Sequence, residues 1–404
     1  MSEKKAKKID YTFVREETGK TSTGGKEIRY VDPDEKQALG ALEKRDDFDA
    51  KRLRRLLALP DLTRKENSPL KFIIDRILTL PAYHGFDVVS IPETITVKNN
   101  FDVFDFPMDH PARNISDTYF VNVNRILRTQ MTSMWLYYLG DKEMIKKLET
   151  EGEVGLLSYG KVYRKDEIDR NHFPVFHQID GLYLTKKDTR VITLEDLQEV
   201  LAETAKGVFG PDVEMRFLDD DFPYTKPSTQ LEVKFGDEWL ELLGAGLARN
   251  STLESLGIDP KIYNGWAFGF GVERLAMMKA GVQDIRILWS EDKRVTKQFT
   301  SIDSKYVEVS KYPPATRDIS FIVSKGVVPN NFYEIARELG GDLIEEVTLI
   351  DAYENDEKLG RGKKSYTFRV VYRSFEQTLT GEEIAHLHTK IEEHLRAEMG
   401  AVIR

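Results

Sequence analysis

The chain has 404 residues, of which 40% are hydrophobic and 31% charged, and this composition excludes a fibrous or wholly disordered protein. It contains no cysteine, which excludes disulfides, thiolate metal sites and a cysteine nucleophile. The formal net charge of −9 repels nucleic acid, so an RNA partner would have to bind to a local basic patch.

Residues 1–50 are polar and rich in both charges, which predicts a partly mobile N-terminal arm that ends in short helical material. The first eight residues, Met1–Lys8, lack the apolar stretch of a secretory signal, and the acids nearby argue against a transit peptide. We therefore expect a cytoplasmic protein. No apolar run reaches the roughly 20 residues that a membrane helix needs, so no membrane partner is predicted.

The next region, residues 51–300, is predicted to be one domain. It opens with Arg52, Arg54 and Arg55 among leucines, a basic amphipathic pattern that ends near Pro60. This pattern favours a helix packed on the body of the protein, and an RNA-contacting arm is the alternative.

Short strands then dominate the predicted elements of this domain. Ser68 is a plausible N-cap for a helix over 68–80. Strands are predicted at 86–91, 159–164, 176–184, 230–235, 239–246 and 266–268, and helices at 125–139, 193–206 and 271–280. Strands in hairpin-like succession with interspersed helices predict an α+β fold with an antiparallel sheet.

The last region, residues 301–404, is predicted to be a separate domain. Its predicted elements are a strand at 316–323, a helix at 330–339, strands at 344–353 and 364–372, a helix at 381–399 and a strand at 401–403. This βαββαβ order is typical of a ferredoxin-like fold.

The first group of candidate functional residues lies in the hairpin that starts at Gly160. A strand carries Arg164 into a charged loop with His172, and the returning strand alternates so that Phe176, Gln178 and Asp180 share one face. A planar guanidinium suits bidentate capture of a phosphate or a carboxylate. The alternative is a structural ion pair between Arg164 and Asp180.

A second candidate is Glu241, which strict alternation places on one strand face with Trp239, Leu243 and Ala245. A carboxylate among apolar neighbours is unfavourable unless it pairs with a cation or a metal. This pattern alone does not distinguish a buried salt bridge from a ligand site at Glu241.

The third group follows Gly265, where a glycine-rich strand runs directly into a helix with Arg274 in its first turn. Small residues let a ligand approach the backbone closely, and a helix start favours anions. Together with Arg164 and Glu241, this pattern indicates a nucleotide triphosphate, and the sequence has no P-loop motif to bind one.

These residues carry a resemblance to a known family. The matching segments are 109–114, the hairpin 160–181, Phe222-Pro-Tyr224, the strand 239–246 and the strand-to-helix junction 266–277. They resemble the class II aminoacyl-tRNA synthetases, specifically the catalytic chain of the phenylalanyl-tRNA synthetase family. Residues 304–321 resemble the opening of that family's ferredoxin-fold anticodon-binding domain.

The resemblance implies a role for each candidate residue. Arg164 would bind the ATP α-phosphate and the attacking carboxylate, and Arg274 would clamp the far end of the nucleotide as the second catalytic residue. The other implied ATP contacts are His172 with the distal phosphates, Phe176 with adenine and Glu241 with ATP-bound Mg²⁺. The implied amino-acid-binding residues are Thr132, Trp135, Gln178, Asp180, Phe222, Tyr224, Ala267 and Phe268.

The resemblance also implies the reaction and its partners. L-Phenylalanine and ATP would give phenylalanyl-adenylate, and the acyl group would pass to the terminal adenosine of tRNA(Phe). Both modules in one chain resemble the single-chain organellar form, so no obligatory second subunit is expected and a monomer is favoured. Lys226 supports this interpretation, since two-subunit enzymes usually have a glutamate there.

The C-terminal domain offers a basic cluster, Arg361, Lys363 and Lys364, as the predicted RNA-binding residues. Nearby aromatic residues (Tyr366, Phe368 and Tyr372) share strand parity, which favours a core face over base stacking.

Several positions depart from the family pattern around the amino acid. Gln130, Thr132 and Trp135 stand at the usual histidine, serine and glutamine, Asp180 is shorter than the usual glutamate, and Tyr224 replaces a phenylalanine. These departures predict measurable activation of tyrosine. They also keep two alternatives open: a ligase for a different amino acid, and a synthetase-like RNA-binding protein without ligase activity.

Overall fold

The structure is a computed structural model that describes residues 12–309 and 312–404. The inference drawn from Met1–Lys8 lies outside the described residues. No helix in the part of the chain that the structure describes is long and apolar enough to cross a membrane.

The described residues form sixteen strands and thirteen α-helices. The strands are β1 (Val14–Lys20), β2 (Lys26–Val31), β3 (Asp87–Ser90), β4 (Thr94–Thr96), β5 (Phe120–Asn122), β6 (Arg125–Leu127), β7 (Glu153–Tyr163), β8 (Val175–Lys186), β9 (Met215–Asp220), β10 (Thr225–Phe235), β11 (Glu238–Ala248), β12 (Tyr263–Gly271), β13 (Ala315–Ser324), β14 (Ile344–Tyr353), β15 (Lys363–Tyr372) and β16 (Val402–Ile403). The helices are α1 (Pro33–Leu42), α2 (Phe48–Ala58), α3 (Pro69–Ile77), α4 (Val97–Asn100), α5 (Met134–Gly140), α6 (Lys142–Glu151), α7 (Leu194–Phe209), α8 (Asn250–Ser255), α9 (Val272–Ala280), α10 (Lys293–Thr296), α11 (Pro329–Gly340), α12 (Asp356–Leu359) and α13 (Gly381–Met399).

A nine-stranded sheet organises the larger domain, with the strand order β1-β2-β3-β7-β8-β12-β11-β10-β9. Only its pairs β2–β3 and β3–β7 are parallel, and the other neighbours are antiparallel. The predicted α+β fold with a mainly antiparallel sheet is confirmed. Helices α3, α7 and α9 pack together on one face of this sheet, and α5 lies against the other face.

The C-terminal sheet has the order β14-β15-β13-β16, with every neighbouring pair antiparallel and with α11 and α13 packed against it. This arrangement confirms the predicted ferredoxin-like fold. The loop between β7 and β8 reaches this domain, since Ile168 belongs to its apolar core and accepts a 2.9 Å hydrogen bond from the Val347 N–H.

Residues 12–31 do not form the mobile arm that was expected, whereas the short helical material expected near residue 50 forms α1 and the start of α2. Strands β1 and β2 extend the main sheet at its edge, and Ile28 and Tyr30 are buried in the core. Two buried apolar residues in a six-residue strand are too few to show a period in the sequence. The edge of β3 supplies the pairing that the local sequence does not indicate.

The predicted helix over 125–139 is correct only in its second half. Residues Arg125–Leu127 form β6, which pairs with β4 and β5, and α5 begins at Met134. Both segments are apolar and buried, and a short buried run does not distinguish a strand from a helix.

Two predicted helices form as expected. The Ser68 hydroxyl caps α3 by accepting a hydrogen bond from the Leu70 N–H. Helix α2 packs on the body as favoured: Arg52 is buried and forms ion pairs with Glu338 and Glu398 of the C-terminal domain.

Candidate active site

A cavity of about 390 Å³ opens on the main sheet where β8, β11 and β12 meet the start of α9. A small recess adjoins it, and the two share Thr132, Asp180 and Tyr224 in their linings. The cavity brings together the predicted residues Thr132, Arg164, His172, Phe176, Gln178, Asp180, Phe222, Tyr224, Glu241 and Arg274, and the recess adds Trp135, Ala267 and Phe268.

Two arginines reach the cavity from different elements. Arg164 follows the end of β7, and its Nε donates a 3.0 Å hydrogen bond to the Thr129 carbonyl. Arg274 lies in the first turn of α9 and donates 2.9 Å from Nη1 to the Glu241 carbonyl. Each bond engages one of five guanidinium N–H donors, and neither guanidinium forms an ion pair among the described residues, so both have donors left for an anionic ligand.

Phe176 lies beside Arg164 in this cavity. The Arg164 Cζ atom is 5.2 Å from the centroid of the Phe176 ring, which is a cation–π contact. The half-buried ring faces the cavity, as the alternation along β8 predicts. An aromatic face beside a cation is suited to stack on a nucleotide base.

His172 lies on the exposed loop between β7 and β8, and its Nδ1 is 2.8 Å from Asp169 Oδ2. The hydrogen bond that His172 donates to the Asp169 carboxylate raises the pKa of His172, although partial burial acts in the opposite direction. A histidine held more basic in this way favours the cationic form that binds phosphate.

The floor of the cavity is polar and buried. The Thr132 hydroxyl donates 2.7 Å to Asp180 Oδ2, and the Met131 N–H donates 3.1 Å to Gln178 Oε1. Burial raises the pKa of Asp180 to about 7, while Thr132 and Arg164 act in the opposite direction. Asp180 Oδ1 is buried and has no hydrogen-bond donor among the described residues, so an ammonium group would satisfy it.

A glycine makes room for this carboxylate. A Cβ atom at Gly269 would lie 2.7 Å from Asp180 Oδ1, so only glycine fits between β12 and the floor. The glycine-rich sequence of β12 therefore serves the floor of the site.

Aromatic side chains enclose the recess. Phe222 stacks on Tyr224 with ring centroids 6.2 Å apart, and Trp135 meets Tyr224 edge-on at 6.0 Å. Ala267 and Phe268 complete the apolar wall and are both buried. The aromatic part of the lining has the apolar character that suits the ring of an amino acid.

Glu241 reaches the cavity in a different way from the one predicted. The pairing of β10 with β11 shifts between Leu231, opposite Leu243, and Glu232, opposite Glu241, which leaves Leu242 as a bulge. A bulge reverses the alternation, so Glu241 does not share a face with Leu243, and it is exposed instead of buried. The inference of a buried carboxylate is therefore wrong, although the residue does line the cavity.

The residues that hold the ligand-facing groups in place were not predicted from the sequence. Asp169 orients His172, and the backbone of Thr129 and Met131 anchors Arg164 and Gln178. The spacing of an aspartate three residues before a loop histidine could have indicated the contact between Asp169 and His172. The contacts with the backbone of Thr129 and Met131 could not be predicted, because any residue type has the same backbone groups.

The predicted RNA-binding residues lie apart from this cavity, on the C-terminal domain. Arg361 and Lys363 are exposed, and the Lys364 ammonium is 4.9 Å from the Tyr366 ring centroid. The aromatic residues of the same strand (Tyr366, Phe368 and Tyr372) are buried in the domain core, as the shared parity favours.

No cluster of three or more histidine, aspartate or glutamate side chains that could hold a metal occurs within residues 12–309 and 312–404. Glu241 presents one exposed carboxylate to the cavity. A single carboxylate suits Mg²⁺ that is held mainly by substrate phosphates and water.

Comparison with known proteins assigns the family. The family "tRNA synthetases class II core domain (F)" matches residues 57–299, and "Ferredoxin-fold anticodon binding domain" matches residues 310–404. The chain belongs to the class II aminoacyl-tRNA synthetases. The catalytic core and the anticodon-binding domain lie in one chain, which agrees with the expectation that no second subunit is required.

Similar curated proteins share most of this chain. It is 39% identical to "Phenylalanine--tRNA ligase, chloroplastic/mitochondrial" of Arabidopsis thaliana, over 77% of this chain and 71% of the relative. It is 35% identical to "Probable phenylalanine--tRNA ligase, mitochondrial" of Drosophila melanogaster, over 77% of each chain. It is also 35% identical to "Phenylalanine--tRNA ligase, mitochondrial" of Mus musculus, over 78% of this chain and 74% of the relative.

The expected cytoplasmic location is wrong, because these relatives are named as mitochondrial or chloroplastic. The expectation came from the charge pattern of the first residues.

Proposed function

We infer that this chain is a phenylalanine–tRNA ligase that forms phenylalanyl-adenylate from L-phenylalanine and ATP and transfers the acyl group to tRNA(Phe). The observation that carries this inference is that Arg164 and Arg274 border one cavity whose floor is the Asp180 carboxylate. A nucleotide triphosphate and an amino acid need that combination of cations and a carboxylate. The names of the relatives support phenylalanine as the amino acid.

The amino acid binds by its ammonium group and its ring. Asp180 Oδ1, which lacks a donor in the described structure, accepts from the ammonium, and Gln178 lies beside it. The ring enters the recess formed by Trp135, Phe222 and Tyr224 and by Ala267 and Phe268. The substrate carboxylate is then directed towards Arg164 in the main cavity.

ATP binds across the same cavity. Its adenine stacks on Phe176, His172 contacts the distal phosphates and Arg274 holds the far end of the nucleotide. Glu241 would hold the Mg²⁺ that accompanies ATP and neutralises phosphate charge.

The reaction needs positioning and charge neutralisation. The phenylalanine carboxylate attacks the α-phosphorus, the bond to the bridging oxygen breaks and pyrophosphate leaves. Arg164 stabilises the charge that develops on the α-phosphoryl oxygens. A ribose hydroxyl of the terminal adenosine then attacks the acyl carbon of the mixed anhydride, and AMP leaves.

The C-terminal domain contacts the tRNA through Arg361, Lys363 and Lys364. Replacing the three with alanine should raise the KM for tRNA and reduce its salt dependence, while pyrophosphate exchange, which needs no tRNA, stays unchanged. An unchanged KM for tRNA would remove this cluster from the RNA-binding surface.

The proposed function is tested by ATP–pyrophosphate exchange with each of the twenty amino acids. We expect phenylalanine to give the fastest exchange. Exchange with none of them would favour an RNA-binding protein without ligase activity, and a faster reaction with another amino acid would favour a ligase of different specificity.

A further inference from the structure

A buried histidine–glutamate pair borders the ATP cavity, and its Glu273 is part of the cavity lining. The Glu273 carboxylate accepts three hydrogen bonds from His177: 3.0 and 2.8 Å from its backbone N–H to the two oxygens, and 2.7 Å from Nδ1 to Oε1. His177 is 0% exposed and Glu273 only 3%. A carboxylate is buried so completely only when a specific partner compensates for the lost hydration.

The hydrogen bonds fix the tautomer of the imidazole. The Leu62 N–H donates 3.0 Å to Nε2 of His177, so the ring proton resides on Nδ1, which donates it to Glu273. Asp61 Oδ1 lies 3.5 Å from the same Nε2, and the Trp289 ring lies 5.5 Å from the imidazole. Every polar atom of the imidazole therefore has a defined neighbour.

The pair joins two elements beyond the point where their backbone pairing ends. Strand β12 pairs with β8 up to Gly271, which lies opposite Gln178. Glu273 is two residues further on, in the first turn of α9, and reaches back to the preceding residue of β8. The Glu273 side chain therefore fixes the start of α9 relative to β8. The backbone hydrogen bonds between β12 and β8 do not extend far enough to do so.

Both members are chain neighbours of residues assigned to ATP. His177 directly follows Phe176, and Glu273 directly precedes Arg274. Because adjacent strand residues face opposite sides, anchoring His177 behind the sheet fixes the direction of Phe176 in front of it. We propose that His177 and Glu273 are positioning residues that hold Phe176 and Arg274 in register for one ATP molecule.

The amino-acid side of the cavity is held independently. Gln178 accepts from the Met131 N–H and Asp180 from the Thr132 hydroxyl, and neither contact involves the pair. The proposal therefore predicts a selective defect in ATP binding. This prediction rests on the proposed function, since Phe176 and Arg274 must bind ATP for the pair to position them.

The test is steady-state pyrophosphate exchange by the full chain, with ATP and phenylalanine varied separately. In Glu273→Gln, which removes the charge and one acceptor, we expect the KM for ATP to rise about tenfold and the KM for phenylalanine to stay within about twofold. Equal rises in both KM values, or no rise for ATP, would overturn the positioning role.

Two histidine variants keep the test decisive if Glu273→Gln does not fold. His177→Asn retains a donor near the Nδ1 position, and His177→Gln retains an acceptor near the Nε2 position. We expect His177→Asn to keep the KM for ATP within about threefold of wild type and His177→Gln to show about a tenfold rise. Equal values for the two variants would contradict the proposal.

Asp87→Asn is the matched control for loss of a buried carboxylate. Asp87 is 0% exposed and accepts hydrogen bonds from Tyr138 and Lys147 at a distance from the ATP cavity. The Asp87→Asn variant should have lower thermal stability and an unchanged KM for ATP. A rise in its KM for ATP equal to that of Glu273→Gln would overturn the proposal. Absence of exchange in the wild-type chain would instead overturn the proposed function itself.

Discussion

Thr132 donates a 2.7 Å hydrogen bond to Asp180 Oδ2 and leaves Oδ1 of the same carboxylate without a donor among the described side chains and backbone groups. Both residues are more than nine-tenths buried. The hydroxyl fixes the direction of the carboxylate, and Asp180 lines the cavity with its second oxygen still unsatisfied. This geometry makes Asp180 the residue that reports most directly on amino-acid binding.

Amino-acid binding should depend on the ionisation of Asp180. Burial raises the pKa of Asp180 to about 7, and only the ionised form attracts the substrate ammonium. As the pH falls through that value the ionised fraction falls, so the KM for phenylalanine should rise about tenfold between pH 8 and pH 6. The KM for phenylalanine at each pH is measured by pyrophosphate exchange at saturating ATP.

Asp180→Asn is the control for this pH dependence. Its KM for phenylalanine should be higher than that of wild type at pH 8 and should stay flat down to pH 6. A wild-type KM that does not change between these pH values would show that another group binds the ammonium.

ATP binding should depend on the pair His172 and Asp169. The hydrogen bond that His172 donates to Asp169 raises the pKa of His172, and the protonated imidazole is the form that attracts phosphate. The KM for ATP should therefore rise as the pH increases through that raised pKa. Asp169→Asn should shift this rise to lower pH, and an identical pH profile for the two proteins would exclude the role of His172.

Discrimination against tyrosine should be weak. The Trp135 Nε1–H is buried and lacks an acceptor in the part of the chain that the structure describes, so a ring hydroxyl in the recess could satisfy it. An apolar pocket rejects an added hydroxyl by only about 10²-fold, and we expect kcat/KM for tyrosine to be lower than that for phenylalanine by about this factor. Exchange assays with both amino acids measure the ratio.

Trp135→Phe separates the indole N–H from the general shape of the recess. It should lower tyrosine exchange further and change phenylalanine exchange little. No tyrosine exchange by the wild type at high enzyme concentration would show that the recess excludes the hydroxyl.

The ion cluster around Arg52 should stabilise the folded chain. The guanidinium lies within ion-pair distance of Glu334, Glu338 and Glu398 and is 6% exposed. Arg52→Met would remove the cation that pairs with Glu398 and would leave Glu334 and Glu338 with Arg337 and Arg55 alone, so we expect the free energy of unfolding to fall by about 3 kcal/mol. Arg396→Met, which breaks an exposed pair with Glu392, should cost less than about 1 kcal/mol in the same denaturant titration. Equal losses would show that the buried cluster contributes no more stability than the exposed pair.

Elements of the main sheet and of the C-terminal domain were predicted correctly where their hydrophobic pattern involves only residues that are close in the sequence. Alternation along β8 and the capped, periodic helix after Thr380 are properties of neighbouring residues, and both elements form as expected. Strands β2 and β6 were missed because β2 joins the main sheet through β3 and β6 also pairs with β4, both of which lie further away in the chain. No local pattern in a short strand shows which edge it will join.

The sequence predicted which residues line the site, but it did not predict their exposure or their pKa values. Alternation placed Phe176, Gln178 and Asp180 on one face, and the structure has them in one cavity. The bulge at Leu242, which exposes Glu241, is a register shift that strict alternation cannot show. The raised pKa of Asp180 likewise depends on burial by several separate elements, which the sequence does not reveal.

The most direct test of this account is the single-turnover rate of phenylalanyl-adenylate formation by Arg164→Ala at saturating ATP and phenylalanine. Arg164 is assigned to the developing charge at the α-phosphoryl group, so the rate should fall by about 10²–10³-fold, the effect of one lost preorganised donor. A rate within about threefold of wild type would contradict the account, because the reaction would then not need Arg164.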